Sequence, residues 1–327
     1  MNSDTAVLGD AVESDPREKG LAKGSAPSVS VVVPTRNRPD LLARCVRAIV
    51  GQEYPGSVEV LVVFDQSDPE PVDVELPVGR TVRIVRNTRT PGLAGARNSG
   101  AVLATGELLA FCDDDDEWLP GKLLAQVRML QAHPEAVAVA GGMEVHFAGH
   151  VTHRPAPARP VEYADLLRAR LPEVNPCSLM LRRDRVLSHV GLVDEQIPGG
   201  YAEDYDFLLR IARAGDIQSV PQPLVRIYWH TASFFAERWR TIIDALEYLL
   251  AKYPDYRDEP VGLARIEGQI AFAHAALGEE RPAVRWAARA IGHHWRQPRA
   301  YLALLVTARL VRSQMVVRLV QARGRGV

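Results

Sequence analysis

The sequence has little of several features that would assign it to a familiar class of protein. It contains three cysteines, Cys45, Cys112 and Cys177, and they form no CxxC pair. We therefore expect neither a disulfide framework nor a cysteine-based zinc site, and the thiols fit small core residues in a reduced cytosol. The net charge of −1 gives no reason to expect nucleic acid as a partner.

Long apolar runs are also lacking. No window reaches the roughly 18 uninterrupted apolar residues of a membrane span, and residues 1–24 are polar, without the apolar stretch of a signal peptide. We expect a cytoplasmic protein, either in solution or peripheral at the inner face of the membrane. Residues 1–27 have few large apolar side chains and are predicted to be a disordered tail.

From residue 28 onward, strand patterns alternate with helical spacing. Apolar and β-branched runs predict strands at 29–33, 58–64, 81–85, 108–112, 136–140 and 174–181. Apolar residues at helical spacing predict helices at 39–51, 93–103, 122–131 and 202–212. The alternation predicts an α/β fold with a mostly parallel sheet flanked by helices, and ligands then bind at the carboxyl ends of the strands.

The C-terminal part has a different pattern. From residue 236 the spacing is helical, with later helices predicted at 269–277, 283–291 and 301–320. The chain thus divides into a tail (1–27), an α/β domain (28–235) and an all-helical region (236–327). Ten arginines and no acidic residue follow Glu280. They fit either a basic surface for anionic lipid headgroups, or pairing with acids elsewhere and self-association.

Four consecutive aspartates, Asp113–Asp116, follow the predicted strand at 108–112. Charge runs are usually solvated loops, but like charges crowded against a buried strand end repel one another unless a cation relieves them. Carboxylate oxygens suit Mg²⁺ or Mn²⁺, which often bridge a protein to substrate phosphates. Polar groups also follow the first two strands, at Thr35–Asn37 and Asp65–Ser67. We therefore predict one binding site at this edge of the sheet.

Five segments resemble, in the same order, the motifs of family 2 glycosyltransferases. They are Val29–Arg38, Val62–Ser67, Gly95–Gly100, the aspartate run with Trp118, and Glu203–Asp204. The resemblance covers residues 28 to about 230. It implies the GT-A nucleotide-sugar-binding fold and metal-dependent, inverting transfer from a nucleotide-diphosphate sugar to an acceptor hydroxyl, in glycan, polysaccharide or glycoconjugate biosynthesis. Whether the acceptor is a glycan, a lipid-linked molecule or a small molecule stays open.

The resemblance also implies roles for individual residues. Asp113 and Asp115 align with the family's metal-binding Asp-x-Asp, and in an extended segment residues two apart point the same way. His230 aligns with a histidine that can complete the metal shell. Asp204 aligns with the catalytic base, and Glu203 is expected to support it. The residues expected to contact the nucleotide sugar are Thr35, Arg36, Asp65, Arg97, Asn98 and Asp114.

These roles have structural alternatives. Thr35, Asp65 and the pair Glu203–Asp204 are residue types that also cap helices and turns, and Arg97 is equally compatible with an ion pair to the aspartate run. A metal-dependent phosphohydrolase or nucleotidyltransferase also uses acidic strand ends, although the sequence lacks a Gly-rich phosphate loop with lysine. A non-catalytic scaffold of the same fold is the third hypothesis.

Overall fold

The structure is a computed structural model that describes residues 26–229 and 238–322, with side chains described as far as residue 317. The predicted tail at 1–27 therefore lies almost wholly outside the described residues. His230 and the predicted domain boundary after residue 235 also lie outside them.

Nine strands in the described part of the chain form one mixed sheet. They are β1 (Val29–Thr35), β2 (Val58–Phe64), β3 (Arg80–Arg86), β4 (Leu108–Phe111), β5 (Glu117–Trp118), β6 (Ala138–Phe147), β7 (His150–Arg154), β8 (Met180–Arg182) and β9 (Ile217–Tyr228). The order is β3-β2-β1-β4-β8-β6-β9-β5, and β7 pairs with β6. The first four strands of this order run parallel, and β8, β7 and β5 run antiparallel to their neighbours.

The helices lie against this sheet or follow it. They are α1 (Pro39–Val50), α2 (Leu93–Leu103), α3 (Lys122–Ala132), α4 (Tyr163–Arg168), α5 (Arg183–Arg185), α6 (Glu203–Ala214), α7 (Trp239–Lys252), α8 (Pro260–Ala276), α9 (Glu280–His293), α10 (Pro298–Thr307) and α11 (Ser313–Ala322). The predicted α/β fold with helices after the sheet is confirmed. Among the described residues, none of the helices combines the length and apolar character that a bilayer crossing requires.

The central strands form because their apolar runs are buried. Every residue of β1 is buried, and α2 covers it at close range. A Cβ at Gly100 would lie only 2.3 Å from Val32 Cγ1, so the absence of a side chain lets α2 lie directly on β1. This close packing brings α2, with Arg97, next to the carboxyl ends of the central strands.

The C-terminal helices pack onto the same core. A Cβ at Gly262 in α8 would lie 2.0 Å from the carbonyl oxygen of Leu167, so α8 lies directly on α4. Buried residues of the sheet, such as Leu109, and of the C-terminal helices, such as Ile266 and Ala303, belong to one hydrophobic cluster. The helical region is therefore joined to the sheet through a continuous apolar core.

Several elements differ from the sequence prediction. The single helix predicted at 301–320 is wrong: α10 ends at Thr307 and α11 begins at Ser313, with Arg309 in the left-handed region (φ 60°) between them. The strand predicted at 174–181 is mostly wrong, because Asn175 caps a single 3₁₀ turn and only residues from Met180 join the sheet. Strands β5, β7 and β9 were not predicted.

Candidate functional site

The four aspartates after β4 form a turn. The amide of Asp116 donates to the carbonyl oxygen of Asp113 at 3.1 Å. The extended geometry assumed from the sequence is therefore wrong here, and residues three apart converge instead of residues two apart. Ligand atoms of Asp113, Asp116 and Cys177 all lie within 4.8 Å of one another. We call Asp113–Asp116 the acidic turn.

The two middle aspartates of the acidic turn face the end of β1. Thr35 Oγ1 donates to Asp114 Oδ2 at 2.7 Å. Arg38 Nη1 donates to Asp114 Oδ1 at 3.2 Å and to Asp115 Oδ2 at 2.8 Å. Burial raises the pKa of the Asp114 carboxyl, and the hydrogen bond from Thr35 and the charge of Arg38 oppose that rise. Asp115, one of the predicted metal ligands, thus lies on the Arg38 side of the turn.

The other two aspartates fit a hard cation. Burial and the charges of Asp113 and Asp115 raise the pKa of Asp116 well above its ordinary value. A bound cation would relieve the repulsion among these carboxylates. A hydrogen bond with Cys112 and burial raise the pKa of the Cys177 thiol, so it remains protonated and donates to Asp116 Oδ2 at 3.3 Å. The donor set is thus carboxylate oxygen, which suits Mg²⁺ or Mn²⁺ rather than a soft metal.

Arg97 joins the acidic turn to the late acidic pair. Its side chain is 3% exposed; Nη2 donates to Asp113 Oδ1 at 2.7 Å and Nη1 to Glu203 Oε1 at 2.9 Å. Burial lowers the pKa of Arg97, but the charges of Asp113 and Glu203 outweigh burial and raise the pKa above its ordinary value. The guanidinium therefore stays charged. Its Nε is buried and has no hydrogen-bond partner in the described part of the chain. The ion pair weighed from the sequence is thus present.

The two acids at the start of α6 have different environments. Burial and the charge of Asp204 raise the pKa of Glu203 to about 7. The Asp204 side chain is 24% exposed, and Arg170 Nη2 donates to its Oδ2 at 2.6 Å. Burial opposes ionisation of Asp204, but Arg170 and Arg97 lower its pKa below the ordinary value. Asp204 is therefore an accessible carboxylate that is ionised at neutral pH.

Asp65 lies at the end of β2 and is held by three donors. Asn87 Nδ2 donates at 2.8 Å, Gln66 Nε2 at 2.9 Å and the Gly92 amide at 3.1 Å. Burial raises the pKa of Asp65, but these hydrogen bonds and the charge of exposed Arg36 lower it below the ordinary value. Asp65 is thus an ionised acceptor at the same edge of the sheet as the acidic turn.

Asn98 is engaged elsewhere. Its Nδ2 donates to the carbonyl oxygen of Val193 at 2.8 Å and to Glu195 Oε1 at 2.6 Å, and its Oδ1 accepts from the Val193 amide at 2.9 Å. These contacts hold the loop before α6, and the structure does not bring Asn98 to the acidic turn.

The end of β9 does reach the acidic turn, because the Tyr228 amide donates to Asp116 Oδ1 at 3.1 Å.

Sequence reasoning missed three residues of the site. Arg38, Arg170 and Cys177 contact acids of the site. Arg38 ends the first recognised motif but had no predicted role, whereas Arg170 and Cys177 lie outside the motifs. Arg38 stands directly after the first polar cluster, so its position was a usable signal. Cys177 lies in the segment predicted as a strand at 174–181, and Arg170 lies where no element was predicted. Nothing in the spacing of either residue indicates its contact with the acids of the site.

The model of the family described as glycosyl transferase family 2 matches residues 30–190, which include the acidic turn and Arg97. The chain belongs to this family. It is a glycosyltransferase, and both the predicted family and the predicted enzyme class are confirmed.

Curated relatives and a solved structure agree with this assignment. The chain is 26% identical over 210 residues to the amylovoran biosynthesis glycosyltransferase AmsE of Erwinia amylovora, covering 61% of this chain and 75% of that protein. It is 28% identical over 102 residues, or 31% of this chain and 40% of that protein, to WfgD of Escherichia coli, named a UDP-Glc:alpha-D-GlcNAc-diphosphoundecaprenol beta-1,3-glucosyltransferase. The S. aureus TarS 1–349 structure matches with a TM-score of 0.58 and 14% identity, covering 91% of this chain and 92% of that one. The predicted GT-A fold is thereby confirmed.

Proposed function

We propose that this glycosyltransferase moves a sugar from a nucleotide-diphosphate donor to an acceptor hydroxyl, with inversion and with a divalent metal ion. The observation that supports this most directly is the bridge by Arg97, whose two nitrogens contact Asp113 and Glu203. Through Glu203, this bridge links the acidic turn, which would hold a cation and a diphosphate, to the start of α6, which carries the candidate base Asp204.

The residues that would hold Mg²⁺ or Mn²⁺ are Asp113 and Asp116, with Asp115 and His230 as the other predicted ligands. When bound, such an ion neutralises charge that develops on a diphosphate leaving group. The chain supplies the rest of the donor site from the same edge of the sheet. We expect Asp65 to accept a hydrogen bond from the nucleotide, with Thr35, Arg36 and Asp114 as further contacts to the nucleotide sugar. Asn98, predicted from the sequence, is instead bonded to the loop before α6.

Asp204 is the proposed catalytic base. A sugar hydroxyl is a poor nucleophile, so a carboxylate must take its proton as it attacks the anomeric carbon. Asp204 is ionised and partly exposed, whereas Glu203 is buried and holds Arg97. We therefore assign the proton transfer to Asp204 and a positioning role to Glu203. Attack from the face opposite the leaving group inverts the anomeric centre in one displacement, without a covalent enzyme intermediate.

The names of the relatives support a proposal for the acceptor and the pathway. AmsE is named for amylovoran biosynthesis, and WfgD for a diphosphoundecaprenol acceptor and a UDP-glucose donor. We propose that this chain acts in polysaccharide or glycoconjugate biosynthesis on a lipid-linked acceptor, at the inner face of a membrane. Peripheral contact would involve the C-terminal helices at the connection between α9 and α10. Trp295 is 64% exposed there, and the guanidinium of Arg296 lies 4.6 Å from its ring centroid.

The decisive experiment measures transfer and donor binding in Asp204→Asn. UDP-sugars are screened first, with Mn²⁺ and with EDTA, by release of the nucleotide diphosphate. Loss of a general base lowers the rate by about 10²–10⁴-fold, while donor affinity should stay unchanged. Asp216→Asn, at an exposed acid beyond the other end of the same helix, is the matched control. Ordinary turnover in Asp204→Asn would refute the base assignment, and phosphate release from simple phosphoesters without sugar transfer would favour a phosphohydrolase.

A further inference from the structure

Three arginines lie at the junction between the sheet domain and the C-terminal helices. Arg170 follows α4, Arg265 lies in α8, and Arg299 lies in the first turn of α10. Arg170 pairs with Asp204 at 2.6 Å. Within residues 26–229 and 238–322, no carboxylate forms an ion pair with Arg265 or Arg299. We call these three side chains the junction arginines.

Arg265 is held in place by a neutral group, and Arg299 packs beside the same helix. Arg265 Nη2 donates to the Tyr205 hydroxyl at 2.8 Å, and its guanidinium lies 5.3 Å from the centroid of that ring. Its Nε is buried and has no hydrogen-bond partner among the described residues. Arg299 lies against the next turn of α8, because a Cβ at Gly268 would be 3.4 Å from Arg299 Cβ. Among the described residues, neither arginine therefore has a carboxylate that neutralises its charge.

The junction arginines also affect one another. Burial and the positive charges of Arg265 and Arg170 lower the pKa of Arg299, and Tyr201 only partly opposes this. Like charges that are partly desolvated raise the free energy of the folded protein unless an anion binds between them. Guanidinium groups form paired hydrogen bonds with phosphate oxygens, so a phosphate is the anion that best matches this cluster.

We propose that the junction arginines bind a phosphate or diphosphate group of the acceptor, beside the base Asp204. The proposal rests on the proposed function and adds to it a second phosphate site, separate from the one at the acidic turn. An acceptor whose reacting sugar carries a diphosphate would place its hydroxyl at Asp204 and its phosphates at Arg265 and Arg299. Arg170 contacts Asp204 directly and so links the proposed base to the phosphate site.

The first test uses inorganic pyrophosphate with the full-length chain in EDTA, so that pyrophosphate cannot bind through a metal at the acidic turn. Isothermal titration should show binding to the wild type and about tenfold weaker binding to Arg299→Gln, as expected for loss of one charge-assisted contact. Arg299→Lys keeps the positive charge but loses the paired donors of the guanidinium. Its affinity for pyrophosphate should lie between those of the wild type and Arg299→Gln. Arg285→Gln, at an exposed arginine of α9, is the matched control and should bind normally.

Arg299→Gln is the primary variant, because a substitution of Arg265 would also remove its hydrogen bond to Tyr205. Circular dichroism checks that each variant is folded. Equal pyrophosphate binding in wild type and Arg299→Gln overturns the proposal, as does equal loss in Arg285→Gln, which would indicate non-specific attraction. A second arm measures binding to phosphatidylglycerol vesicles. If Arg299→Gln weakens vesicle binding but not pyrophosphate binding, a bilayer headgroup occupies the cluster and the acceptor proposal is wrong.

The proposed function fails in a different measurement. If the wild type releases no nucleotide diphosphate from any nucleotide sugar with Mn²⁺ or Mg²⁺, the transfer reaction is refuted whatever the titration in EDTA shows. If the wild type does release it but Arg299→Gln binds pyrophosphate normally, only the acceptor site is refuted.

Discussion

Glu203→Gln should stabilise the protein at alkaline pH and change its stability little at acidic pH. Burial and the charge of Asp204 raise the pKa of Glu203 from 4.5 to about 7. Between these values the folded chain keeps a proton that the unfolded chain has released, so the free energy of unfolding falls as the pH rises through this window. The difference between 4.5 and 7 corresponds to about 3 kcal/mol. Glutamine is neutral at every pH and avoids this loss.

The measurement is urea unfolding of wild type and variant in EDTA, at pH 5 and at pH 8.5. Most of the roughly 3 kcal/mol should appear as extra stability of Glu203→Gln at the higher pH. Glu195→Gln is the matched control, because it removes the same charge from a carboxylate of opposite behaviour. Burial opposes ionisation there, but hydrogen bonds from Thr90, Asn98 and Arg89 lower the pKa of Glu195 to about 2. That substitution should destabilise the protein at pH 8.5.

A decrease in stability of Glu203→Gln at pH 8.5 would refute the reasoning. It would mean that the ion pair with Arg97, at 2.9 Å, stabilises the ionised Glu203 carboxylate by more than burial and repulsion from Asp204 destabilise it. Equal shifts of both variants at the two pH values would instead indicate an effect of net charge alone.

Four further outcomes are expected. Asp65→Ala should weaken nucleotide binding about tenfold in isothermal titration, since a charged acceptor is lost; unchanged affinity would remove Asp65 from the donor site. Chelation by EDTA should abolish sugar transfer, and restored Mn²⁺ should recover it; transfer that persists in EDTA would contradict the metal requirement. Gly100→Val should lower unfolding free energy by about 1–3 kcal/mol or more through its clash with Val32, whereas an unchanged urea midpoint would contradict the close packing. Trp295→Ala should weaken binding to phosphatidylglycerol vesicles, while Val78→Ala, at an exposed apolar residue of the sheet domain, should not.

The parts predicted well from sequence are those fixed by local pattern. The runs in β1, β2 and β4 are mainly apolar because helices cover both faces of the sheet, so this composition identifies them as buried strands. The parallel arrangement then places their carboxyl ends at one edge. Thr35, Asp65 and Asp113 could therefore be assigned to a common edge before any distance was known.

The details within the acidic turn could not be predicted in this way. Four identical residues carry no pattern, and only the hydrogen bond from the Asp116 amide to the Asp113 carbonyl decides which side chains converge. Cys177 reaches the turn from a 3₁₀ segment about sixty residues later in the chain, near the start of β8. Such contacts depend on tertiary packing, which neither spacing nor residue type reports.

The arginines after Glu280 show the same limit, because those that the structure describes have different environments. Arg289 pairs with Glu267 at 2.7 Å, Arg299 lies against α8, and Arg296 is exposed beside Trp295. Pairing with acids and lipid contact, two of the alternatives that the sequence left for the whole set, thus fit different members, and Arg299 fits the proposed phosphate site. A variant that removes many of these arginines at once would alter stability, acceptor binding and membrane contact together. Single substitutions are therefore needed to separate the three roles, and Arg299→Gln with Arg296→Gln is the informative pair.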